Sequence, residues 1–388
     1  MQIRSSHSHN PASSAQSRLP GGRLFDLFRN ATATMLTRAG IAVAIAWLPP
    51  VALTAFQDHR ALLSYLTDFV TLSRFLLVIP LLILAEHPLH SRYALVARHL
   101  EITLVPNDQQ SRFQSNWNSY VSLKDAAAAK VILLFVTYLI AACLSQYLSS
   151  NGSEFLPWWI GNGGYRFFSL AGTWTFFVSY PLLGYLILLW LWRQFLWARF
   201  LQSTASLNLR LIAAHPDHVG GMGFLEASLL AQIPFSFCLG VVLAGAIANR
   251  VFHEGQKVLE YRFLAPVLIA VALLIAVAPY FVFTPSLIQM RRRGMFRYGF
   301  LAHAAGEQFE QKWLDREGDE PQEQLTTADV SPTQNLYNMV KNIDSIRIVP
   351  VSKINVYLFV IAALVPSVPV LIGALPFSLL MKAALKLL

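Results

Sequence analysis

Long apolar runs alternate along this chain with shorter stretches that hold nearly all of its charge. Six runs of 18 or more residues lack Asp, Glu, Lys and Arg, at 39–57, 131–153, 167–192, 227–249, 263–290 and 354–381. About 20 helical residues cross a hydrocarbon layer roughly 30 Å thick, so each run is long enough to span it. A seventh run, Phe69–Ala85, is interrupted only by Arg74. The pattern predicts an all-α, polytopic transmembrane helical bundle of about seven spans. These are Ala39–Phe56, Phe69–Ala85, Val131–Leu148, Phe167–Trp192, Ala227–Ala248, Phe263–Met290 and Ile354–Met381. Pro49–Pro50 predicts a kink in the first. Pro366, Pro369 and Pro376 leave the last as one broken span, the preferred reading, or a re-entrant hairpin that lowers the count to six.

The stretches between the runs differ sharply in charge. Counting Lys and Arg, 22 fall in the N-terminal segment and in 86–130, 193–226 and 291–353, against seven in the segments that alternate with them. Basic residues are retained on the cytoplasmic side of a membrane, which predicts a cytoplasmic N-terminus and a C-terminus on the far side. Residues 1–38 are expected to be a cytosolic segment, disordered over 1–22 and amphipathic from Arg23 to Arg38, where Leu24, Phe25, Leu27 and Phe28 suit the membrane interface. Residues 39–388 are expected to form a single integral membrane domain. Helical spacing of Tyr93, Val96 and Leu100 predicts a helical hairpin over 91–130 within the cytoplasmic loop 86–130. In the loop 291–353, Phe300–Leu314 reads as a continuation of the sixth span and Asp315–Ser331 as a flexible linker.

Composition agrees with lipid as solvent. The 388 residues are 55% hydrophobic and 13% charged, against about 25% charged in a soluble globular chain. The net charge of +9 fits insertion topology better than nucleic-acid binding, and no nucleic-acid partner is expected. Trp158, Trp159, Trp190, Trp192 and Trp197 are expected at the two interfaces. Gln232, Asn249 and Tyr138 are expected to hydrogen-bond between helices. Cys143 and Cys238 each fall inside an apolar run and read as small hydrophobes.

Chemistry is sparse. Arg74 is the one ionisable residue well inside an apolar run; an intramembrane charge costs at least ~2.5 kcal/mol to insert and is a candidate for lining a cavity. No Asp or Glu falls inside an apolar run, where ion-coupled carriers bury a coupling carboxylate, and there is no Walker loop, dinucleotide fingerprint or GxSxG elbow, so no cofactor is expected. The densest polar group is the Gly-rich turn His215-Pro216-Asp217-His218-Val219-Gly220-Gly221-Met222-Gly223, immediately before the fifth span. Gly220, Gly221 and Gly223 allow a tight backbone, and the free N–H groups of the following helix suit an anion such as a phosphate or lipid head group. Arg193, Arg199, Arg210 and Arg291–Arg293 share that side. A plain tight turn that packs helices closely explains the same residues. The spacing of His215 and His218, repeated by His87 and His90 beside Glu86, would also suit Zn²⁺ if the two pairs met; metal is not the favoured reading.

The run LRLIAAHPDHVGGMGFL resembles the HPDxxGGxGFL motif of a family of bacterial polytopic inner-membrane proteins of unassigned function. The similarity extends from about Glu86 to the C-terminus and includes WLWRQFLWARF, YGFLAHAAGEQFEQKWL and IRIVPVSK. Family members often have Arg after the Asp, where this chain has His218, and His87 lies outside the pattern. Both departures favour an anion-facing site over a metal cluster. The resemblance implies an architecture and no activity.

Taken together, these features predict a multi-pass protein of the bacterial inner membrane, non-enzymatic in the leading reading. It would be a channel, carrier or regulatory subunit that binds an anionic small molecule or lipid head group through His215, Asp217, His218, Gly220, Gly221, Gly223 and Arg210. Its expected partners are membrane lipids, with a second copy or a partner subunit as further candidates. The alternatives are a membrane-embedded enzyme acting on lipid or phosphoester through His215, Asp217 and His218, with Glu226 in support, and an accessory subunit that docks a cytosolic partner.

Overall fold

The computed structural model describes residues 21–150, 157–159, 168–313 and 327–374. Among the described residues every regular element is helical and no strand forms. Seven helices are long and apolar enough to cross a membrane: Ala33–Gln57, Phe69–Thr103, Ala127–Leu144, Leu170–Ala205, Gly223–His253, Val258–Gln311 and Lys353–Ala374, hereafter spans 1 to 7. Each overlaps one expected apolar run. Such an arrangement is that of a multi-pass membrane protein, since hydrocarbon can satisfy no exposed backbone N–H or C=O group.

Several boundaries differ from expectation. The interfacial segment Arg23–Arg38 and span 1 are one helix, Gly21–Gln57, which runs through Pro49–Pro50. Thr54 Oγ1 there donates to the Pro50 carbonyl at 2.8 Å. The helical hairpin on the loop side exists, but its first arm, Glu86–Thr103, is the second half of span 2; the second arm is Gln110–Asp125. The sixth span continues through Phe300 to Trp313, as the sequence predicts. Thr327–Ser331, expected to end the flexible linker, begin the helix Thr327–Asp344. Residues 1–20, 314–326 and 375–388 lie outside the described residues, and with them most of the expected disordered tail, the rest of that linker and the end of span 7.

Span 5 is the centre of the bundle. Its apolar window is 56% buried, against 6% for span 3 and 11% for span 7. Small residues make this position tenable, because lipid tails are as apolar as Leu and helices associate in them through close packing and hydrogen bonds. A Cβ placed on Gly240 would lie 2.1 Å from the Ala363 carbonyl oxygen of span 7. One on Gly245 would lie 2.0 Å from Ser73 Oγ of span 2. Ser236 Oγ donates to the Phe359 carbonyl at 2.7 Å, joining spans 5 and 7 by hydrogen bond as well.

A buried polar relay joins four spans. Tyr93 of span 2 donates its hydroxyl to Gln194 Oε1 of span 4 at 3.0 Å, and Gln232 of span 5 donates to the same hydroxyl at 3.3 Å. Gln194 Nε2 in turn donates to the Ile275 carbonyl of span 6 at 3.2 Å. Trp197 stacks on Tyr93 with centroids 4.2 Å apart. Trp158, Trp190 and Trp197 are buried against protein, and Trp190 Nε1 donates to the Leu82 carbonyl at 3.3 Å. The polar end of the Trp190 indole thus serves helix–helix contact, a role equally available to an amphipathic ring. Tyr138 donates to the Phe177 carbonyl at 3.1 Å, whereas Asn249 Oδ1 has no hydrogen-bond partner among the described residues. Cys143 and Cys238 are both free, the first exposed and the second buried.

The connecting segments gather into two sets, as alternating crossings require. At one end Arg193 pairs with Glu86, the Arg210 amide donates to the Leu104 carbonyl at 2.8 Å, and Arg291 pairs with Asp344 at 2.8 Å. At the other, Phe69 packs on Phe252 and Tyr65 on Trp158. The first end is the arginine-rich one.

Gly240→Leu should push spans 5 and 7 apart and lower the thermal stability of the purified protein by at least about 2 kcal/mol, because a well-packed interface has no room for added carbons. Gly40, where nothing lies within 4 Å of an added Cβ, is the control: Gly40→Ala should be neutral or slightly stabilising.

Candidate functional site

The Gly-rich turn folds around a carboxylate of its own. Asp217 Oδ1 accepts the amides of Val219 at 2.9 Å and Gly221 at 3.1 Å, and Oδ2 accepts the amide of Gly223 at 2.8 Å. His215 Nδ1 lies 2.8 Å from Oδ1. This local geometry needs left-handed backbone at three neighbouring residues: His218 (φ 55°), Gly220 (φ 70°) and Gly221 (φ 93°). Histidine enters that region at some cost, and glycine enters it freely. At Gly223 the demand is spatial, since a Cβ would lie 3.2 Å from the Asp217 carboxylate. The amides of Val219, Gly221 and Gly223 thus hold the chain's own anion.

Burial pushes the Asp217 carboxyl upward, but the amides of Val219, Gly223 and Gly221, with His215, outweigh it. The net result lies below the ordinary carboxylate range.

A second polar chain clamps this turn to the segment that enters span 7. The Arg347 amide donates to the His218 carbonyl at 2.8 Å, and its guanidinium donates to the Asp217 carbonyl at 3.1 Å and to Glu226 Oε1 at 2.8 Å. Asn355 Nδ2 donates to the other oxygen of Glu226 at 2.7 Å. Ser345 Oγ lies 2.8 Å from His218 Nδ1. Two stretches whose contacts span 127 to 130 residues of sequence, HPDHVGG and IRIVPVSK, are therefore one unit. His215, Asp217 and His218 come together, while Arg210 is exposed.

The histidine pairs do not meet as a metal site would need. His215 is held by Asp217, His218 by Ser345, and His90 contacts Lys124. Among the described residues no three His, Cys, Asp or Glu side chains are grouped to hold a metal ion.

Beside the turn, a cavity of about 560 Å³ opens between the chain leading into it and span 6. Asn208, Gln289, Arg293, Gly294, Arg297 and Tyr298 contribute to its lining. Arg293 and Arg297 sit one helical turn apart on one face. Among the described residues neither has a carboxylate partner, unlike Arg193, Arg291 and Arg347. A neighbouring hollow of about 780 Å³ shares Ser286, Gln289 and Arg293 and adds Ile288, Arg292 and Phe296. The sequence did not single out Arg297, one of nine Lys and Arg in 291–353; that Arg291 and Arg347 are neutralised and it is not could be seen only once the helices were packed.

Compared with family models, curated proteins and solved structures, the chain matches none of them.

Asp217→Ala should cost on the order of 3 kcal/mol, because it strands three amides that a charged acceptor had satisfied. The pH dependence has a definite sign. A carboxyl whose folded pKa is depressed stabilises the fold fully above its unfolded pKa of about 3.9, and that stabilisation fades as pH falls through the lower folded value. Thermal unfolding of wild type and Asp217→Ala should therefore differ by a constant margin above about pH 5 and converge in strong acid.

Proposed function

We propose that this chain is a multi-pass protein of the bacterial inner (cytoplasmic) membrane that binds an anionic group at its arginine-rich end, which faces the cytoplasm. Its role is that of a channel, carrier or regulatory subunit, not an enzyme. The observation that carries this reading is the pair Arg293 and Arg297, unpartnered among the described residues and lining one cavity. A guanidinium without a carboxylate is an open fork of donors that matches phosphate or carboxylate geometry.

Two features point to a lipid head group or another phosphate-bearing molecule. The adjoining hollow runs from Arg292 and Arg293 to Ile288, which is 43% exposed on the membrane-spanning part of the same helix. Polar head and apolar tail of one lipid could thus lie along span 6. The Asp217 turn, in this reading, is the rigid wall of the site and not its anion-binding surface. The enzyme alternative is disfavoured because His215 and His218 are engaged with Asp217 and Ser345. The family resemblance agrees with this membrane setting and is silent on the ligand.

In lipid nanodiscs of phosphatidylcholine, the protein should be stabilised against heat by added phosphatidylglycerol or inorganic phosphate. Arg293→Gln/Arg297→Gln should weaken that effect at least about tenfold in apparent affinity, since each charge-assisted bond is worth roughly 1.5–3 kcal/mol. An unchanged titration in the double variant would dismiss the assignment.

A further inference from the structure

The half of the bundle away from the arginine-rich end holds a second polar cluster. Arg74 is half-buried in span 2, where Ser73–Val78 form a π-helical turn. Span 4 carries a second π-helical turn, Thr175–Ser179, which ends against Tyr180. These turns meet through their side chains: Arg74 Nη1 donates to the Tyr180 hydroxyl at 3.3 Å, and its guanidinium lies 5.5 Å from the Tyr180 ring centre. Single π-helical turns cost regular hydrogen bonding and recur at functional sites. Among the described residues Arg74 has no carboxylate within ion-pair distance. Asp68, the nearest acid in sequence, is buried and acts on Arg74, Tyr65 and Tyr180 through space only, its oxygens being taken by the Val70 amide at 3.1 Å and the Thr71 hydroxyl.

An independent observation concerns hydrogen bonds that are not made. Trp47 Nε1, Tyr65 OH, Trp158 Nε1 and Thr175 Oγ1 are buried without a partner among the described residues. Tyr65, Trp158 and Thr175 are each 0% exposed. They belong to one neighbourhood. Tyr65 packs edge-on against Trp158 at 4.9 Å, Trp158 against Trp159 at 4.9 Å, and Trp159 stacks on Tyr180 at 5.9 Å. Trp47 and Ala171 join the same apolar cluster, and Thr175 is one turn beyond Ala171. A buried polar group left unsatisfied costs about 1–3 kcal/mol, so four together need a common explanation.

The chemistry of these groups indicates the missing partner. Indole N–H and guanidinium groups only donate, and the two hydroxyls are able to donate. Water must also give away its own protons and fits a donor-rich lining less well than an anion does. The donors come from side chains linked by successive ring contacts of 4.9 to 5.9 Å, a lining several residues wide that suits a polyatomic anion. We propose that this cluster binds a carboxylate- or phosphate-bearing molecule, with the Arg74 guanidinium as its charge partner and Tyr65, Thr175, Trp47 and Trp158 as neutral donors. It is a separate site from the cavity at Arg293 and Arg297 and does not depend on it.

The test uses the full chain carrying Arg293→Gln/Arg297→Gln, so that the other site is silent. Thermal unfolding is followed against sodium acetate and sodium phosphate, with sodium chloride matched for ionic strength, in delipidated detergent solution. A second arm uses nanodiscs of phosphatidylcholine with and without phosphatidylglycerol. The expected result is a saturable rise in melting temperature with acetate, phosphate or the anionic lipid beyond that in chloride. The detergent arm reports a soluble anion and the nanodisc arm a lipid head group. Arg74→Gln should weaken the apparent affinity at least about tenfold. Tyr65→Phe and Thr175→Val should weaken it severalfold while leaving the ligand-free protein as stable or more so, because each removes a hydroxyl that is unsatisfied when the site is empty. No rise beyond chloride in either arm, or an equal rise in Arg74→Gln and its parent, would overturn the proposal.

Discussion

Hydrocarbon offers no hydrogen bonds, and this constraint governs the molecule at every level. It forces the backbone into helices and the few polar side chains within the spans to find one another. The Tyr93–Gln194–Gln232 relay is the clearest outcome, since one hydroxyl and two amides draw spans 2, 4, 5 and 6 to a common point. Gly240 and Gly245 make the remaining contacts possible by letting span 5 touch the backbone of spans 7 and 2. Without these small residues the central helix would have to be excluded from the centre.

At the arginine-rich end, where water is available, the organising interaction changes to charge. Asp217 gathers three amides, and Arg347 bridges Glu226 to the turn, so a loop before span 5 and a loop before span 7 become one rigid unit. That unit flanks the cavity whose arginines are not neutralised. The division of labour is physical: glycines and the aspartate shape the wall, while Arg293 and Arg297 supply the unspent charge.

Much of the architecture was legible in the sequence because the relevant signal is one-dimensional. An uncharged run of 18 or more residues needs no knowledge of its neighbours to be read as a span, and all seven runs overlap helices that could cross a membrane. The hairpin over 91–130 was legible for the same reason, through the helical spacing of Tyr93, Val96 and Leu100. What escaped were properties of pairs. The turn at His215–Gly223 was visible as a cluster, but whether its amides faced outward or toward Asp217 depended on φ at His218, Gly220 and Gly221. Trp158, Trp190 and Trp197 have the composition of interfacial anchors and lie in the core, because helix partners compete with the membrane interface for the same amphipathic ring. Arg74 was visible as an isolated charge; its Tyr180 partner, 106 residues on, was not.

The seven-span arrangement requires a bilayer with all the arginine-rich segments on one side of it. Single cysteines placed at Gln114, Arg210 and Ser345, and at His59 and Gln256, in a chain with Cys143 and Cys238 replaced by Ala, would be labelled in intact inverted and right-side-out vesicles with an impermeant maleimide. The first three should react together in inverted vesicles only, and the last two in right-side-out vesicles only. Reaction of the first three from opposite faces, or of all five from both, would contradict the seven-span arrangement.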